Sequence, residues 1–193
     1  MEETQNKKKI LIFLGHTDSE TMCGFLADKY EEGARDGGNE VRRVNIGKMQ
    51  FDPILHKGYK EIQELEMDLK KAQEDIKWAD HIFITYPNWW GSMPAKLKGF
   101  FDRALIPGFG FNFREGKHFK HLSGKSARVV VTMDIMPPFF RHTRTAITMR
   151  NSILRFCGIE PVRIMEIGPV KNMLIDKREG WGKRFMELGF RAL

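Results

Sequence analysis

Three near-continuous apolar runs constrain this chain more than any other feature: Lys9-Ile10-Leu11-Ile12-Phe13-Leu14, His81-Ile82-Phe83-Ile84-Thr85 and Ala127-Arg128-Val129-Val130-Val131-Thr132. Strands buried on both faces read this way. Two further segments, 41–46 and 162–167, mix charges with apolar residues and suit sheet edges, where one side meets water. The intervals between these five strands are long enough to hold helices. Alternating strands and helices predict a parallel sheet with right-handed crossovers. With the first, third and fourth strands central, the order is 2-1-3-4-5 in a three-layer α/β sandwich, a doubly wound arrangement.

The helical intervals agree. The segment Thr17-Asp18-Ser19-Glu20 reads as a capping box that opens a helix to about Arg35, ending at Gly37-Gly38. Ile62, Leu65, Leu69, Ala72, Ile76 and Ala79 recur by threes and fours and predict one amphipathic helix, with Glu66 and Lys70 as an exposed pair. Further helices are expected over 95–105, 143–156 and 179–188.

A chain of 193 residues with 41% hydrophobic content suits a single domain over 1–193, with 1–7 flexible. No apolar run approaches the roughly 20 residues of a bilayer span, so no stable membrane insertion is expected. The polar start lacks an export signal, and Cys23 and Cys157 give neither a disulfide framework nor metal spacing. A reduced, cytoplasmic protein is expected, with no metal. The net charge of +7 comes from lysines and arginines spread along the chain without a nucleic-acid motif. It fits a solvated surface that also attracts phosphorylated molecules, and no nucleic-acid partner is expected.

In a 2-1-3-4-5 sheet, ligands bind beyond the carboxyl ends of the strands at the switch point. Three loops converge there. The first holds His16, Thr17, Ser19, Thr21, Met22 and Cys23 and joins a strand to a helix N-terminus. Free amides and hydroxyls there suit a phosphate, while an ordinary capping box explains the same residues. The second loop, Pro87-Asn88-Trp89-Trp90-Gly91, places two tryptophans side by side. Adjacent loop residues point in different directions, so both rings cannot enter one core, and a planar ligand stacked beside them explains the composition better. The third holds Thr132, Met133, Asp134 and Ile135 and continues to Phe139 and Phe140. Asp102-Arg103 reads as a helix-end ion pair as much as a functional one. Phe109, Phe111 and Phe113 alternate with small or polar residues and suit a short hairpin over a satellite core.

The ordered segment from Tyr86 through Asn88-Trp89-Trp90-Gly91-Ser92-Met93-Pro94 to Asp102-Arg103 closely resembles the signature of the flavodoxin-like NAD(P)H dehydrogenase (quinone) family. The resemblance implies a flavodoxin-like fold and a cytoplasmic oxidoreductase that transfers hydride by a ping-pong route. NADPH or NADH would be the reductant, a bound flavin the carrier, and a quinone, azo or nitro compound the small-molecule acceptor. It places His16, Thr17, Ser19, Thr21, Met22 and Cys23 against the flavin phosphate. Pro87, Asn88, Trp89, Trp90, Gly91, Thr132, Met133, Asp134 and Ile135 fall along the ring, and Phe111, Phe113, Phe139 and Phe140 in the substrate pocket. No catalytic side chain is implied. The Thr-Thr-Gly-Gly turn and the Tyr/His relay common in the family are absent after Thr132, and Cys23 replaces a common Asn. Little chain follows the last helix, which favours FMN over FAD. Exposed aromatic loops favour a homodimer. Relatives that serve as ancillary subunits of potassium-efflux transporters supply an alternative function. A flavodoxin-type carrier suits this basic chain less well.

Overall fold

The computed structural model describes residues 7–137 and 142–193, so the expected flexible start, apart from Lys7, and the pair Phe139 and Phe140 lie outside the described residues. The chain runs β1 (Lys9–Leu14), α1 (Met22–Asp36), β2 (Glu40–Asn45), α2 (Met67–Trp78), β3 (His81–Pro87), α3 (Ala95–Ala104), β4 (Phe111–Arg114), β5 (Lys117–Lys120) and β6 (Ser126–Thr132). After these come α4 (Arg144–Ile147), a π-helical stretch (Thr148–Leu154), α5 (Arg155–Cys157), β7 (Val162–Ile167) and α6 (Ile175–Phe190). The five parallel strands are ordered β2-β1-β3-β6-β7, which is 2-1-3-4-5 once the separate β4–β5 hairpin is set aside.

The continuous apolar runs follow from burial on both sides. Successive side chains of a strand face opposite ways. Ile10 and Ile12 of β1 enter one core with Leu26 and Tyr30 of α1 and Phe185 of α6, while Leu11 and Phe13 enter the other with Leu69 of α2 and Phe100 of α3. The edge strand β2 uses its charges to hold both layers. Arg42 pairs with Asp75 of α2 at 2.8 Å and lies over the Trp78 ring, whereas Arg43 pairs with Asp28 and Glu31 of α1.

Three expectations need correction. The capping box does not start α1. The chain bends through 16–21 first, and Thr21 caps the helix by accepting from the Gly24 amide. The apolar stripe is not all helix: α2 begins at Met67, and Ile62 before it is 92% exposed. The expected charge pairs also regroup. Glu66 turns from Lys70 to Arg103 at 2.9 Å, and Asp102 bonds Lys98 instead. Arg103 is fully buried and donates to the Asp52 and Glu64 carbonyls as well as to Glu66. A planar fork with several donors ties the long 50–66 connection to α3, which is why this charge can be buried. The helix expected over 143–156 forms with a π-helical middle, and α6 starts four residues before the expected position.

Candidate active site

The carboxyl ends of β1, β3 and β6 carry the three loops. Backbone bonds lock them to the sheet: Gly15 N donates to Thr85 O at 2.7 Å, Asn88 N to Thr132 O at 2.7 Å, and Met133 N to Ile167 O at 2.9 Å.

In the first loop the backbone is held by local side chains and by two close approaches. The His16 Nδ1 accepts from the Asp18 amide at 2.9 Å, and Asp18 Oδ1 accepts from the Glu20 amide at 2.8 Å. A Cβ on Gly24 would sit 1.8 Å from the Ser19 carbonyl oxygen, and one on Gly47 would sit 2.0 Å from that of Thr17. Only glycine permits this packing. Sequence reading passed over both positions, because neither belongs to a phosphate fingerprint. Gly24 lets the Ser19 backbone press against the start of α1, and Gly47 lets that of Thr17 press against the turn that follows β2. The amides of Met22 and Cys23 lie in its first turn, where no intrahelical acceptor exists and the helix dipole favours an anion. Asp18 and Glu20 are exposed. A polar cavity of about 470 Å³ adjoins, where the cations Arg43, Lys48 and Arg178 outnumber the acids Glu20 and Asp28 in a wall shared with Ser19 and Thr21. Burial lowers the His16 pKa, so this ring is neutral near pH 7.

The second loop is a two-residue turn. Trp89 and Ser92 exchange both backbone hydrogen bonds at 2.9 Å, and Trp90 and Gly91 between them have φ of 53° and 74°. Glycine suits such a turn, and a bulky side chain there is strained. Trp90 stands fully in solvent, while Trp89 meets the His16 ring edge-on at 5.2 Å. Asn88 holds a buried side-chain oxygen with no hydrogen-bond partner among the described residues. Such an orphaned acceptor is costly unless a ligand or water donates to it.

Some of the other expected site residues turn inward. The Cys23 Sγ lies 3.1 Å from Thr132 Oγ1, and burial pushes its thiol up to about 11, so it carries no thiolate at neutral pH. Pro87 and Met133 are buried, and Met22 packs beside the α1–α6 core. Asp134 accepts from the Lys171 amide, and Ile135 is exposed. Phe111 and Phe113 sit on the β4–β5 hairpin and form a cluster with His118 and Phe156. The 350 Å³ cavity that Phe111 helps to line has no wall residue from the three loops.

The residues fit a flavin mononucleotide on observations independent of any relative. An anion-favouring helix start, an orphaned acceptor and an exposed aromatic turn lie on neighbouring loops, joined by the contact of His16 with Trp89. No helix among the described residues is long and apolar enough to cross a membrane.

Comparison with known proteins places the chain. A family model described as having a flavodoxin-like fold matches residues 8–182. An uncharacterized NAD(P)H oxidoreductase of Haemophilus influenzae is 29% identical, with 87% of this chain and 86% of that protein aligned. Human ribosyldihydronicotinamide dehydrogenase (quinone) is 30% identical over 79% of this chain and 78% of its own length. The FMN complex of an FMN-dependent NADH-azoreductase from Bacillus anthracis superposes with a TM-score of 0.68 at 17% identity, covering 94% of this chain and 97% of that one. The chain therefore belongs to the flavodoxin-like-fold family that includes the NAD(P)H and ribosyldihydronicotinamide quinone dehydrogenases.

Proposed function

We propose that the protein is an FMN-dependent NAD(P)H oxidoreductase that reduces quinones or related azo and nitro acceptors. The observation that carries the reading is the orphaned Asn88 acceptor beside the exposed tryptophan turn. The names of the Haemophilus and human relatives and of the FMN-bound Bacillus structure support it. The α1 start, with Thr17, Ser19 and Thr21, would hold the phosphate, and Asn88, Trp89, Trp90, Gly91 and Ile135 would border the ring.

Bound there, FMN supplies two-electron transfer between a nicotinamide and an acceptor. The chain's own contribution is positioning. The α1 amides and nearby cations fix the anionic end. The Asn88 oxygen would accept a hydrogen bond from the flavin and so help to orient it. The tryptophan turn would exclude water from it. Neutral His16 packs against Trp89 and holds the turn. With its thiol kept protonated, Cys23 is spacing and not a nucleophile.

A homodimer completes this reading. Trp90, Ile135, Met136, Phe113 and Phe119 are all at least 44% exposed, and pairing about a two-fold axis would cover them. Light scattering on the flavin-loaded protein tests this directly, because a fully active monomer at micromolar concentration contradicts it.

For the activity, the protein is loaded with FMN and mixed anaerobically with NADH or NADPH. Loss of the oxidised flavin absorbance, followed by its return on adding a quinone, is expected. A flavin-loaded protein inert to both nucleotides would refute the proposal.

A further inference from the structure

The cavity of about 350 Å³ that Phe111 borders opens between α3 and the π-helical stretch after α4. Phe101 and Leu105 of α3 are almost fully buried and, with Ile153 opposite, give it an apolar floor. Phe111 of the hairpin and Phe156 of α5 close one end. The rim is polar but balanced in charge. Lys98 Nζ donates to both Asp102 carboxylate oxygens, at 2.7 and 2.8 Å. Thr148 and Ser152, both exposed, add two hydroxyls to the wall.

The chain holds this gap open at both ends. At one end Tyr86 Oη donates to the Thr145 carbonyl at 3.1 Å and fastens α4 to β3. At the other, Phe111 already meets Phe156 at 4.9 Å, and a Cβ on Gly110 would lie 2.9 Å from Cys157 Sγ, so hairpin and α5 are in contact and come no closer. Between these anchors the backbone is π-helical from Thr148 to Leu154. Such stretches are rare and recur at functional sites. Their i→i+5 bonding lets residues four and five apart share a face, which sets Thr148, Ser152 and Ile153 on the cavity wall while Met149 and Leu154 enter the core. The facing wall is a single stripe of α3, from Lys98 to Leu105 by threes and fours. A concavity fixed between anchored helices is preformed, and its volume falls in the range of small-molecule sites, about 300 to 1,000 Å³.

We propose that this cavity binds a flat, uncharged aromatic molecule carrying one hydroxyl, a phenol or naphthol, with its ring between α3 and the π-helical stretch and its hydroxyl on Thr148 or Ser152. The floor and the flanking phenylalanines favour a planar ring. Because Lys98 and Asp102 satisfy each other, a charged ligand would meet the apolar floor without a partner. The two rim hydroxyls both donate and accept, which matches a hydroxyl on the ligand. No wall residue belongs to the three loops, so the site is separate from the flavin cleft and independent of the flavin reading.

The test titrates isotope-labelled protein with 1-naphthol in the presence of FMN and follows assigned amide and methyl resonances by NMR. Each shift belongs to a named residue, so the result reads the same whether or not the cleft holds FMN. Saturable shifts at Thr148, Ser152 and Ile153 are expected, with binding at least about tenfold weaker for the charged 1-naphthoate. Thr148 and Ser152 are exposed, so the Thr148→Val, Ser152→Ala double variant should fold normally and bind 1-naphthol about tenfold more weakly, the loss of one hydrogen bond. Resonances of the π-helical stretch that 1-naphthol leaves unmoved, or shifts confined to residues 88–91, overturn the proposal. So does a double variant that binds 1-naphthol as tightly as the native chain, or naphthoate bound as tightly as naphthol.

Discussion

Two aromatic regions of this molecule behave in opposite ways. On the β4–β5 hairpin, Phe111 meets Phe156 at 4.9 Å and His118 stacks on Phe113 at 4.9 Å, so the rings pack on one another, although Phe113 stays partly exposed and the buried His118 Nε2 has no hydrogen-bond partner among the described residues. In the Trp89–Ser92 turn, Trp90 touches solvent all round on a left-handed backbone, and Trp89 meets the edge of the His16 ring. Aromatic residues that pack together need no ligand to explain them. A fully exposed tryptophan held on a strained backbone does, because that strain gains nothing within the chain alone. The contrast separates the candidate site from the satellite core more sharply than composition does, since both segments are aromatic in sequence.

The largest effect should come from the anion end of the cleft. Thr21→Glu sets a carboxylate at the α1 cap and should weaken FMN binding at least about 100-fold by like-charge repulsion. Thr21→Ala should cost only about 1 kcal/mol of stability through the lost cap. Equilibrium dialysis of both variants checks this, and unchanged affinity in Thr21→Glu removes the phosphate assignment. The self-packed region should respond the other way. Phe156→Ala should lower unfolding stability by about 2 kcal/mol in urea titrations while FMN affinity stays put. A comparable loss of flavin would join the two regions and break the contrast.

A third ring checks whether burial alone is tolerated when the aromatic environment is complete. His81 stacks near Tyr30, and burial lowers its pKa to about 3 from 6.5. The native state then binds no proton in a range where the unfolded chain does, so stability is full above about 6.5 and falls as pH drops toward 3. Between pH 5 and 6.5, above the lowered Glu31, Glu66 and Asp52 carboxyls, the limiting slope should approach about 1.4 kcal/mol per pH unit. His81→Gln should flatten it, and thermal unfolding across that window reads the difference. Partly exposed His16 adds a smaller term of the same sign.

The smallest effect is the most diagnostic. Trp90→Gly should relieve the left-handed strain and stabilise the flavin-free protein by about 1 kcal/mol. The same change should weaken FMN retention through lost packing area, whereas Trp89→Phe should retain FMN with an altered redox potential. Opposite signs for stability and binding at one residue mark a position held for a ligand.

Much of this was legible beforehand, and the reasons are local. The runs at β1, β3 and β6 alternate between two cores, so their apolar continuity gave the central strands directly. Arg42 and Arg43 marked β2 as an edge, although their clamping of α2 and α1 depends on tertiary distance. The start of α1 was misplaced because Thr17 and Thr21 offer the same cap chemistry. Only the approach of Ser19 to Gly24 decides between them. The burial of Arg103 under the 50–66 connection had no local signal, since its acceptors lie 37 to 51 residues away. Among the candidate site residues, Asn88 and the tryptophans stand out in the sequence as a motif. The inward turn of Cys23 and Thr132 was not, because a strand end and a helix start must first be packed together.

The central claim is that the Trp89–Ser92 turn and the α1 start hold one flavin. Titration of the flavin-free protein with FMN, read by tryptophan fluorescence, tests it most directly. Trp89 and Trp90 lie on the proposed flavin loop, while Trp78 and Trp181 lie on α2 and α6. The account predicts saturable quenching at one FMN per chain, most of it lost in the Trp89→Phe, Trp90→Phe double variant. No saturable quenching, or quenching that the double variant retains in full, would contradict it.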